Sequence, residues 1–531
     1  IMKDYSLGFE KASPPGGYPL YGTKGHGDID ITLNDKGLTA RGEVEYLGAK
    51  IKSKDIVLLP DSMNSNTDIF TIDESAKYPK YSAANIKNHW VPKKDSLYIN
   101  TLGHTTDIFR NGQKFTGNLV LTPKILTGKG LLEWDNAKMT SKLMNFATNS
   151  VKSDTAKIEI NTIDQGKIAF SSTNVKAFVD FDKRTGDFKA NIPGQLTDFG
   201  YNQFASSMDQ YFWDMDKQTI LLTKSPRMAS SYFISRRPDM DGLKFNSDKA
   251  LFDIKEGIIY CENVPYIDVA ESRVFPKDGK VNIGKDADIF TLQEAKLLAA
   301  RDNKYHDIFP ATLKILGRKA MSGTGKYKFI DKNKTGQIIF FDKIRVMADS
   351  TVAATGYIKD SINFKIYPMI GYKGEMELNS NNPHLKFNGY VKPLHTFKIG
   401  SNWIRYKDRP DPKDIVVDIR EPKNDENKFV SVSMNSALDT ALIYPTFFNF
   451  KRKYADPEFT NDTGIMIYDE PTTEFRVGSR ERILNGAPRG SIMTFNETTR
   501  MITTQGPINM GFEIPVLDPL VAGKMYKKES D

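Results

Sequence analysis

The chain has 531 residues, which on a prior of about 150 residues per domain predicts three or four domains rather than one compact unit. Hydrophobic residues make up 39% and charged residues 26% of the sequence, a balance typical of folded domains and not of long disordered stretches. The 74 basic and 66 acidic residues leave a net charge of +8 without an arginine-rich run or an RNA-recognition motif, so the charge gives no indication of nucleic-acid binding.

A stretch near the start of the chain occurs twice. Residues 42–54 (GEVEYLGAKIKSK) return at 130–142 as GLLEWDNAKMTSK, with Gly, Glu, Ala, Lys, Ser and Lys in register. A second similarity relates residues 128–156 to residues 323–351. Because the copies consist of short alternating stretches, the repeat predicts a β architecture built from duplicated units of roughly 100 residues. The glycines of the repeat are interpreted as strand bends.

Alternation of apolar and polar residues with period two dominates the chain and predicts half-buried antiparallel strands with lysine-bearing solvent faces. Examples are Lys157–Asn161, Val175–Phe181, Lys326–Ile330 and Asn363–Tyr367. The segments Asp182–Gly186 and Asp331–Gly336 begin with Asp and end with Gly, as hairpin turns do. By propensity the best helical candidate is Thr291–Arg301, although its strand-rich surroundings favour a strand, and the sequence leaves both open.

These patterns predict an all-β fold, an elongated multidomain array of repeated antiparallel β-sheet units. The units would form either stacked sandwiches or an open, solenoid-like sheet in which each unit covers the edge of the next. Turn-rich and polar stretches suggest boundaries between repeat units at 1–110, 111–230 and 231–395, followed by a C-terminal β-rich unit at 396–531.

Motifs for catalysis are missing from the sequence. Cys261 is the only cysteine and lies in an apolar run, which predicts a packing role and excludes an internal disulfide. The six histidines form no pair with zinc-ligand spacing, and no phosphate loop, dinucleotide fingerprint or nucleophile elbow occurs. An enzyme is therefore not favoured, and no catalytic residue or cofactor is assigned.

One loop has a weak likeness to a calcium site. Asp331, Asn333 and Thr335 fall at alternate positions, and Asp342 occupies the twelfth place. Thr335 replaces a usual carboxylate and two lysines lie inside the loop, so a plain hairpin is favoured over calcium binding.

Two pairs of acidic residues could belong to a glycosidase cleft. Asp214 and Asp216 follow Trp213, and Asp239 and Asp241 form a similar pair. Glycosidases divide acid and nucleophile or base duties between two carboxyl groups. Carboxylates two residues apart are common in exposed strands, so a solvated or loop-capping role is favoured.

A tripeptide of Asp, then Ser or Thr, then an aliphatic residue, Met or Thr recurs along the chain. It resembles the O-glycosylation acceptor of exported proteins of the Bacteroidota, in which the middle hydroxyl residue carries the glycan. The resemblance implies that the acceptors are Ser62, Ser96, Thr155, Ser350, Ser361 and Thr440.

The lysine- and asparagine-rich, nearly cysteine-free chain of degenerate strand units resembles the large exported β-repeat envelope and surface proteins of the same bacteria. In strand-repeat style it is also similar to the scaffolds that bridge the periplasm in lipopolysaccharide transport. The resemblance implies an extracytoplasmic location, in the periplasm, at the outer membrane or at the cell surface. Since the chain begins at Ile1 with no signal peptide, we expect an export signal outside the given sequence.

We therefore predict an exported structural, scaffold or protein-interaction component of a bacterial envelope or surface assembly, whose partners are other envelope proteins. No stretch approaches the roughly 18 apolar residues of a membrane-spanning helix. The alternative is a glycan-binding or glycan-degrading protein. In that case the tryptophans would supply stacking surfaces, at Trp90, Trp134, Trp213 or Trp403.

Overall fold

The computed structural model describes residues 2–3, 6–7, 9–35, 37–162, 166–440, 442–510 and 521–529. Strands contain 58% of the chain and helices 4%, and the strand pairs are antiparallel, which confirms the all-β prediction. The chain divides into two compact units. The first unit comprises Ile1–Ile267, Asp278–Phe290 and Leu316–Arg318, and the second comprises Asp268–Lys277, Thr291–Ile315 and Lys319–Asp531. The boundaries near residues 110, 230 and 395 stay a prediction.

Up to Asp180 the strands are mostly long, and several contain ten or more residues. They are β1 (Met2–Lys3), β2 (Ser6–Leu7), β3 (Phe9–Lys11), β4 (Tyr18–Leu20), β5 (Gly25–Asn34), β6 (Gly37–Tyr46), β7 (Ala49–Leu58), β8 (Met63–Ile72), β9 (Tyr81–Val91), β10 (Ser96–Asn100), β11 (Thr106–Ile108), β12 (Gln113–Leu121), β13 (Leu126–Trp134), β14 (Ala137–Phe146), β15 (Ser150–Asn161) and β16 (Ile168–Asp180). From β5 to β9 and from β12 to β16 each strand pairs with the next, as in a meander.

The repeat glycines lie where the long strands bend. The register between β6 and β7 shifts at Gly42, and that between β13 and β14 shifts at Gly130. Gly130 also lies directly opposite Gly117 of β12. A Cβ atom on Gly130 would lie 2.1 Å from the carbonyl oxygen of Thr116, and the backbone φ there is +157°. Only glycine permits this approach of two strands, which confirms the interpretation of the repeat glycines as bends.

The next strands are shorter. They are β17 (Thr185–Ala190), β18 (Thr197–Phe199), β19 (Phe204–Ser206), β20 (Gln210–Asp214), β21 (Thr219–Thr223), β22 (Tyr232–Ser235), β23 (Lys244–Asn246), β24 (Lys249–Asp253), β25 (Ile258–Glu262), β26 (Ile267–Val269), β27 (Ser272–Phe275) and β28 (Val281–Ile283). One set pairs in the order β16, β17, β20, β21, β24, β25 and β28. A second set pairs in the order β16, β18, β19, β22 and β23. The chain therefore alternates between two sheets, hairpin by hairpin.

Aromatic side chains fill the space between these two sheets. Phe199 of one sheet packs edge-on against Phe252 of the other, with ring centroids 5.4 Å apart, and also contacts Phe170 and Phe233. Cys261 of β25 is buried, as predicted, and burial raises the pKa of its thiol well above the ordinary value. A buried thiol that holds its proton is a packing group and not a nucleophile.

The second unit contains β27, most of β30 and the remaining strands. These are β29 (Leu292–Leu298), β30 (Asp307–Gly317), β31 (Ala320–Ile330), β32 (Gly336–Val346), β33 (Val352–Ile358), β34 (Lys365–Tyr367), β35 (Ile370–Asn379), β36 (Lys386–Pro393), β37 (Ile404–Asp408), β38 (Val417–Asp418), β39 (Ser431–Ser436), β40 (Ile443–Asn449), β41 (Glu458–Asn461), β42 (Ile465–Asp469), β43 (Glu474–Gly478), β44 (Ile492–Asn496), β45 (Met501–Ile508) and β46 (Val521–Lys528). One sheet runs β38, β42, β43, β44, β45, β46, and a smaller one runs β40, β39, β41. Between them Phe447 stacks on Phe495 with ring centroids 4.0 Å apart.

Helices are few and short. The described residues form one α-helix, α1 (Arg480–Asn485), which ends at Gly486 in the left-handed conformation. The 3₁₀ helices are Pro92–Lys94, Pro238–Met240, Lys277–Gly279, Lys285–Ala287 and Asp360–Ile362. No helix among the described residues is long and apolar enough to span a membrane.

The helical candidate at 291–301 is wrong, because its central residues form strand β29. Leu292, Ala295 and Leu297 are buried, while Gln293 and Lys296 are exposed. β29 pairs with β27 and with β30, and the register shifts beside Glu294. Pairing on both sides therefore outweighs the helix propensity of this leucine- and alanine-rich segment.

Candidate functional site

The six predicted glycosylation residues differ in exposure. Thr155, Ser361 and Thr440 are exposed, whereas Ser62 and Ser350 are half-buried. Ser96 is buried, and its hydroxyl donates a hydrogen bond to the carbonyl of Lys94 at 2.8 Å. A glycan requires an accessible hydroxyl, so the folded chain offers Thr155, Ser361 and Thr440 and hides Ser96.

The proposed calcium ligands are not brought together. Asp331 caps a hairpin turn, because its carboxylate accepts hydrogen bonds from the amides of Asn333 and Thr335 at 2.9 and 2.8 Å. The Asn333 side chain donates to Glu470. Asp342 lies six residues beyond Gly336, the first residue of β32, which places it about 20 Å along the strand at the usual rise. A single ion cannot contact both ends, and the loop is the hairpin that the sequence favoured.

The acidic pairs act as turn caps and ion-pair partners. Asp214 accepts hydrogen bonds from the amide and the ammonium of Lys217, which lower its pKa. Asp239 pairs with Arg237, and the hydrogen bond from the guanidinium likewise lowers its pKa. Asp216 pairs with Arg184. A general acid requires a raised pKa, so Asp214 and Asp239 do not suit the acid role of a glycosidase.

Three of the four tryptophans are unavailable as stacking surfaces. Trp90, Trp134 and Trp213 are buried, and Trp134 contacts Trp213. Trp403 is partly exposed, Lys373 lies 4.9 Å from its ring, and its indole donates a hydrogen bond to Asp360. Among the described residues no group of three or more His, Cys, Asp and Glu side chains could hold a metal ion.

The first unit instead presents a row of apolar side chains on its solvent face. Strand pairing aligns them across β16 to β25, with an aspartate as the second member: Phe178, Asp187, Phe212, Leu221, Leu251 and Tyr260. We call the five apolar members the apolar row. Phe212 is 42% exposed and Leu251 is 38% exposed. Along a half-buried strand the exposed positions usually carry polar side chains, so apolar residues at these positions are unusual.

Lysines lie at one end and along one side of the apolar row. Lys152 lies opposite Phe178, with its ammonium 5.9 Å from the ring, and Lys176 lies opposite Lys189 in the neighbouring strand. We call these three residues the lysine flank. They line a groove of about 480 Å³ together with Phe178 and Phe212. None of the three forms an ion pair with another described residue, and like charges directly opposite on a sheet repel.

The carboxylates on the other side of the row already accept hydrogen bonds within the protein. Asp180, Asp214 and Asp253 each accept a hydrogen bond from a backbone amide of the turn that follows their strand. These carboxylates therefore stabilise hairpins. Asp187, in the row itself, lines the groove together with Asp154, and partial burial raises the pKa of Asp187. The three lysines of the lysine flank outnumber these two carboxylates, so the groove has a small positive net charge.

No protein-family model matches the chain, and no curated protein matches it in sequence. The apolar row combines two exposed side chains, Phe212 and Leu251, with three half-buried ones, beside lysines that form no ion pair with another described residue.

Proposed function

We propose that the protein is a scaffold or protein-interaction component that docks partner proteins on the apolar row. The observation that carries the proposal is the alignment of five apolar side chains beside three lysines that form no ion pair with another described residue. Six strands at about 4.8 Å spacing give the row a length of about 24 Å. That length matches an amphipathic helix of about 16 residues lying across the strands.

The occupant that fits is an acidic amphipathic segment of another protein. Its apolar side chains would cover Phe212, Leu221 and Leu251, and its carboxylates would reach Lys176 and Lys189. Contact with a carboxylate relieves the repulsion between these two lysines, so binding gains both apolar burial and charge pairing. Such complementarity accelerates association and weakens as salt rises.

We also propose that the protein is exported to the bacterial envelope. Its support is the recurring acceptor tripeptide together with the exposure of its hydroxyl residue at Thr155, Ser361 and Thr440. An extracytoplasmic scaffold would present these residues to the glycosylation machinery and the apolar row to neighbouring envelope proteins.

Site-specific photocrosslinking tests the docking face. A photoreactive phenylalanine analogue replaces Phe212 in the native host, and the crosslinked peptide is identified by mass spectrometry. The matched control carries the analogue at Ile69, an exposed apolar residue of β8 away from the row. We expect a crosslink at position 212 to an acidic amphipathic peptide and none to that peptide at position 69.

Charge reversal makes the test specific. In the variant Lys176→Glu/Lys189→Glu we expect the crosslink at position 212 to fall at least tenfold, because the lysine flank now repels the acidic segment. Exclusive crosslinking to lipid or glycan, or a crosslink that survives charge reversal unchanged, would contradict protein docking at this face.

A further inference from the structure

The second unit contains a pocket ringed by exposed aromatic side chains. It has a volume of about 500 Å³ and lies beside strands β39, β40 and β41. Three of its lining rings face solvent: Phe429 is 63% exposed, Phe450 is 47% exposed and Tyr454 is 96% exposed. We call it the aromatic pocket. Its volume falls in the range of about 300–1,000 Å³ that is usual for small-ligand sites.

The loop that carries Tyr454 is held in place by a buried carboxylate. Asp456 is 1% exposed and accepts hydrogen bonds from the Tyr444 hydroxyl at 2.6 Å and from the amides of Lys453 and Leu438. The loop is therefore fixed while its tyrosine ring stays in water. A rigid loop with an exposed ring lowers the entropy cost of binding, because the contact surface exists before the ligand arrives.

Polar groups line the same pocket. One oxygen of the Glu458 carboxylate accepts a hydrogen bond from the Asn461 side-chain amide at 2.9 Å, and the other lies 3.3 Å from the Lys451 ammonium. Contacts to both oxygens therefore fix the position of this carboxylate. Glu421 also lines the pocket, and no described cation forms an ion pair with it. The pocket thus offers oriented hydrogen-bonding groups next to exposed rings.

The two cations of the lining are paired. Arg420 pairs with Asp418 at 2.6 Å, and Lys451 pairs with Glu458. Both lining cations are therefore neutralised by partners within the unit, unlike the lysine flank of the first unit. Lys423, whose ammonium lies 4.5 Å from the Phe429 ring, and Glu421 form no ion pair with another described residue, so one charge of each sign is left beside the pocket. An anionic ligand such as a nucleic acid or an acidic peptide would therefore find no net positive charge there.

We propose that the aromatic pocket binds a neutral oligosaccharide. A sugar ring has an apolar C–H face, which packs on aromatic rings such as Tyr454, and peripheral hydroxyls, which hydrogen-bond to carboxylates and amides such as Glu421 and Asn461. Aromatic rings beside a few oriented polar groups are the lining that such a ligand requires. This site is separate from the apolar row, and neither proposal depends on the other.

Isothermal titration calorimetry of the full chain tests the proposal with four neutral hexasaccharides: maltohexaose, cellohexaose, mannohexaose and xylohexaose. An anionic oligogalacturonate serves as the comparison ligand. We expect at least one neutral hexasaccharide to bind and the oligogalacturonate not to bind. Raising the salt concentration from 50 to 500 mM should leave the affinity within about twofold, since no free charge is neutralised on binding.

Substitutions of exposed aromatic residues test whether the saccharide binds in the aromatic pocket. Tyr454→Ala should weaken the affinity about tenfold or more, and Tyr454→Phe should retain it, because the ring supplies the contact. Tyr357→Ala removes an exposed ring of β33 away from the pocket and should leave binding unchanged. Failure of all four hexasaccharides to bind, equal affinity in Tyr454→Ala, or preference for the oligogalacturonate would overturn the proposal. Since Tyr454 is almost fully exposed, its truncation leaves the fold intact and a loss of binding is interpretable.

Discussion

Burial changes the acidity of one residue in the C-terminal part of the second unit. Asp462 is 1% exposed, and its Oδ1 atom has no hydrogen-bond partner among the described residues. Burial raises its pKa from 3.8 to about 6, although hydrogen bonds from Ser491, Thr504 and Thr460 oppose the shift. The folded unit therefore binds a proton at this carboxyl more tightly than the unfolded chain does.

The sign of this shift predicts a loss of stability as the pH rises. Between pH 3.8 and about 6 the unfolded chain has lost the proton while the folded unit retains it, so the free energy of unfolding falls across that window and then levels off. Two pKa units correspond to about 3 kcal/mol. We expect Asp462→Asn to raise the free energy of unfolding at pH 7.5 by about 2 kcal/mol and to leave it nearly unchanged at pH 4.

Hydrogen exchange of the amides in β42 and β45 measures this stability locally. The control is Asp414→Asn, which replaces an exposed aspartate of the same unit. Equal protection of the wild type and Asp462→Asn at pH 7.5 would show that the Asp462 carboxylate is better solvated than its burial indicates.

Glycine pairs decide where the long strands of the first unit can approach each other. At Gly130 a Cβ would collide with the backbone of Thr116, whereas at Gly48, in a turn, it would meet nothing within 4 Å. The φ angles are +157° and +81°, so both substitutions carry some backbone strain and only the first carries a collision.

We expect Gly130→Ala to cost about 3 kcal/mol or more of stability and Gly48→Ala about 1 kcal/mol. Chemical denaturation followed by tryptophan fluorescence measures both, because buried Trp134 lies at the end of β13, the strand that carries Gly130. A cost for Gly130→Ala no greater than that for Gly48→Ala would mean that the bend can shift to a neighbouring residue.

Strands were predictable from the sequence because their side chains alternate with period two, and the glycine bends were predictable because the repeat preserved them. The strand at 291–301 could not be predicted with the same certainty, since intrinsic propensity carries no information on the pairing of β29 with β27 and β30. The apolar row escaped prediction for the same reason. Phe212 and Leu251 become neighbours of Leu221 only through the registers of three different strands.

Residue type did not predict which aromatic rings are exposed. The tryptophans were considered as stacking surfaces because they have the largest rings, but Trp90, Trp134 and Trp213 are buried in the core. The rings that face solvent in the aromatic pocket are phenylalanines and a tyrosine on loops, where no periodicity indicates which way a side chain points. A signal was available in the run Lys451–Tyr454, whose charged residues place Tyr454 in a polar segment.

At the scale of the whole molecule the two units carry different surface chemistry. The first unit has apolar side chains beside lysines that form no ion pair with another described residue, and the second has aromatic rings beside two paired cations, Arg420 and Lys451. The net charge of +8 is therefore a poor guide to either site. We expect docking at the apolar row to weaken as salt rises and saccharide binding at the aromatic pocket to be insensitive to salt, because the docked partner is charged and the saccharide is neutral.

If the protein is exported as we propose, the exposure of its described residues predicts which acceptor residues carry a glycan. We expect hexose at Thr155, Ser361 and Thr440, which are exposed, and none at Ser96, which is buried and whose hydroxyl is hydrogen-bonded. Glycopeptide mass spectrometry of the protein from its native host measures each site. Modification of Ser96 would mean that glycans are added before the chain folds, and a protein without hexose at any of these residues would remove the main support for export.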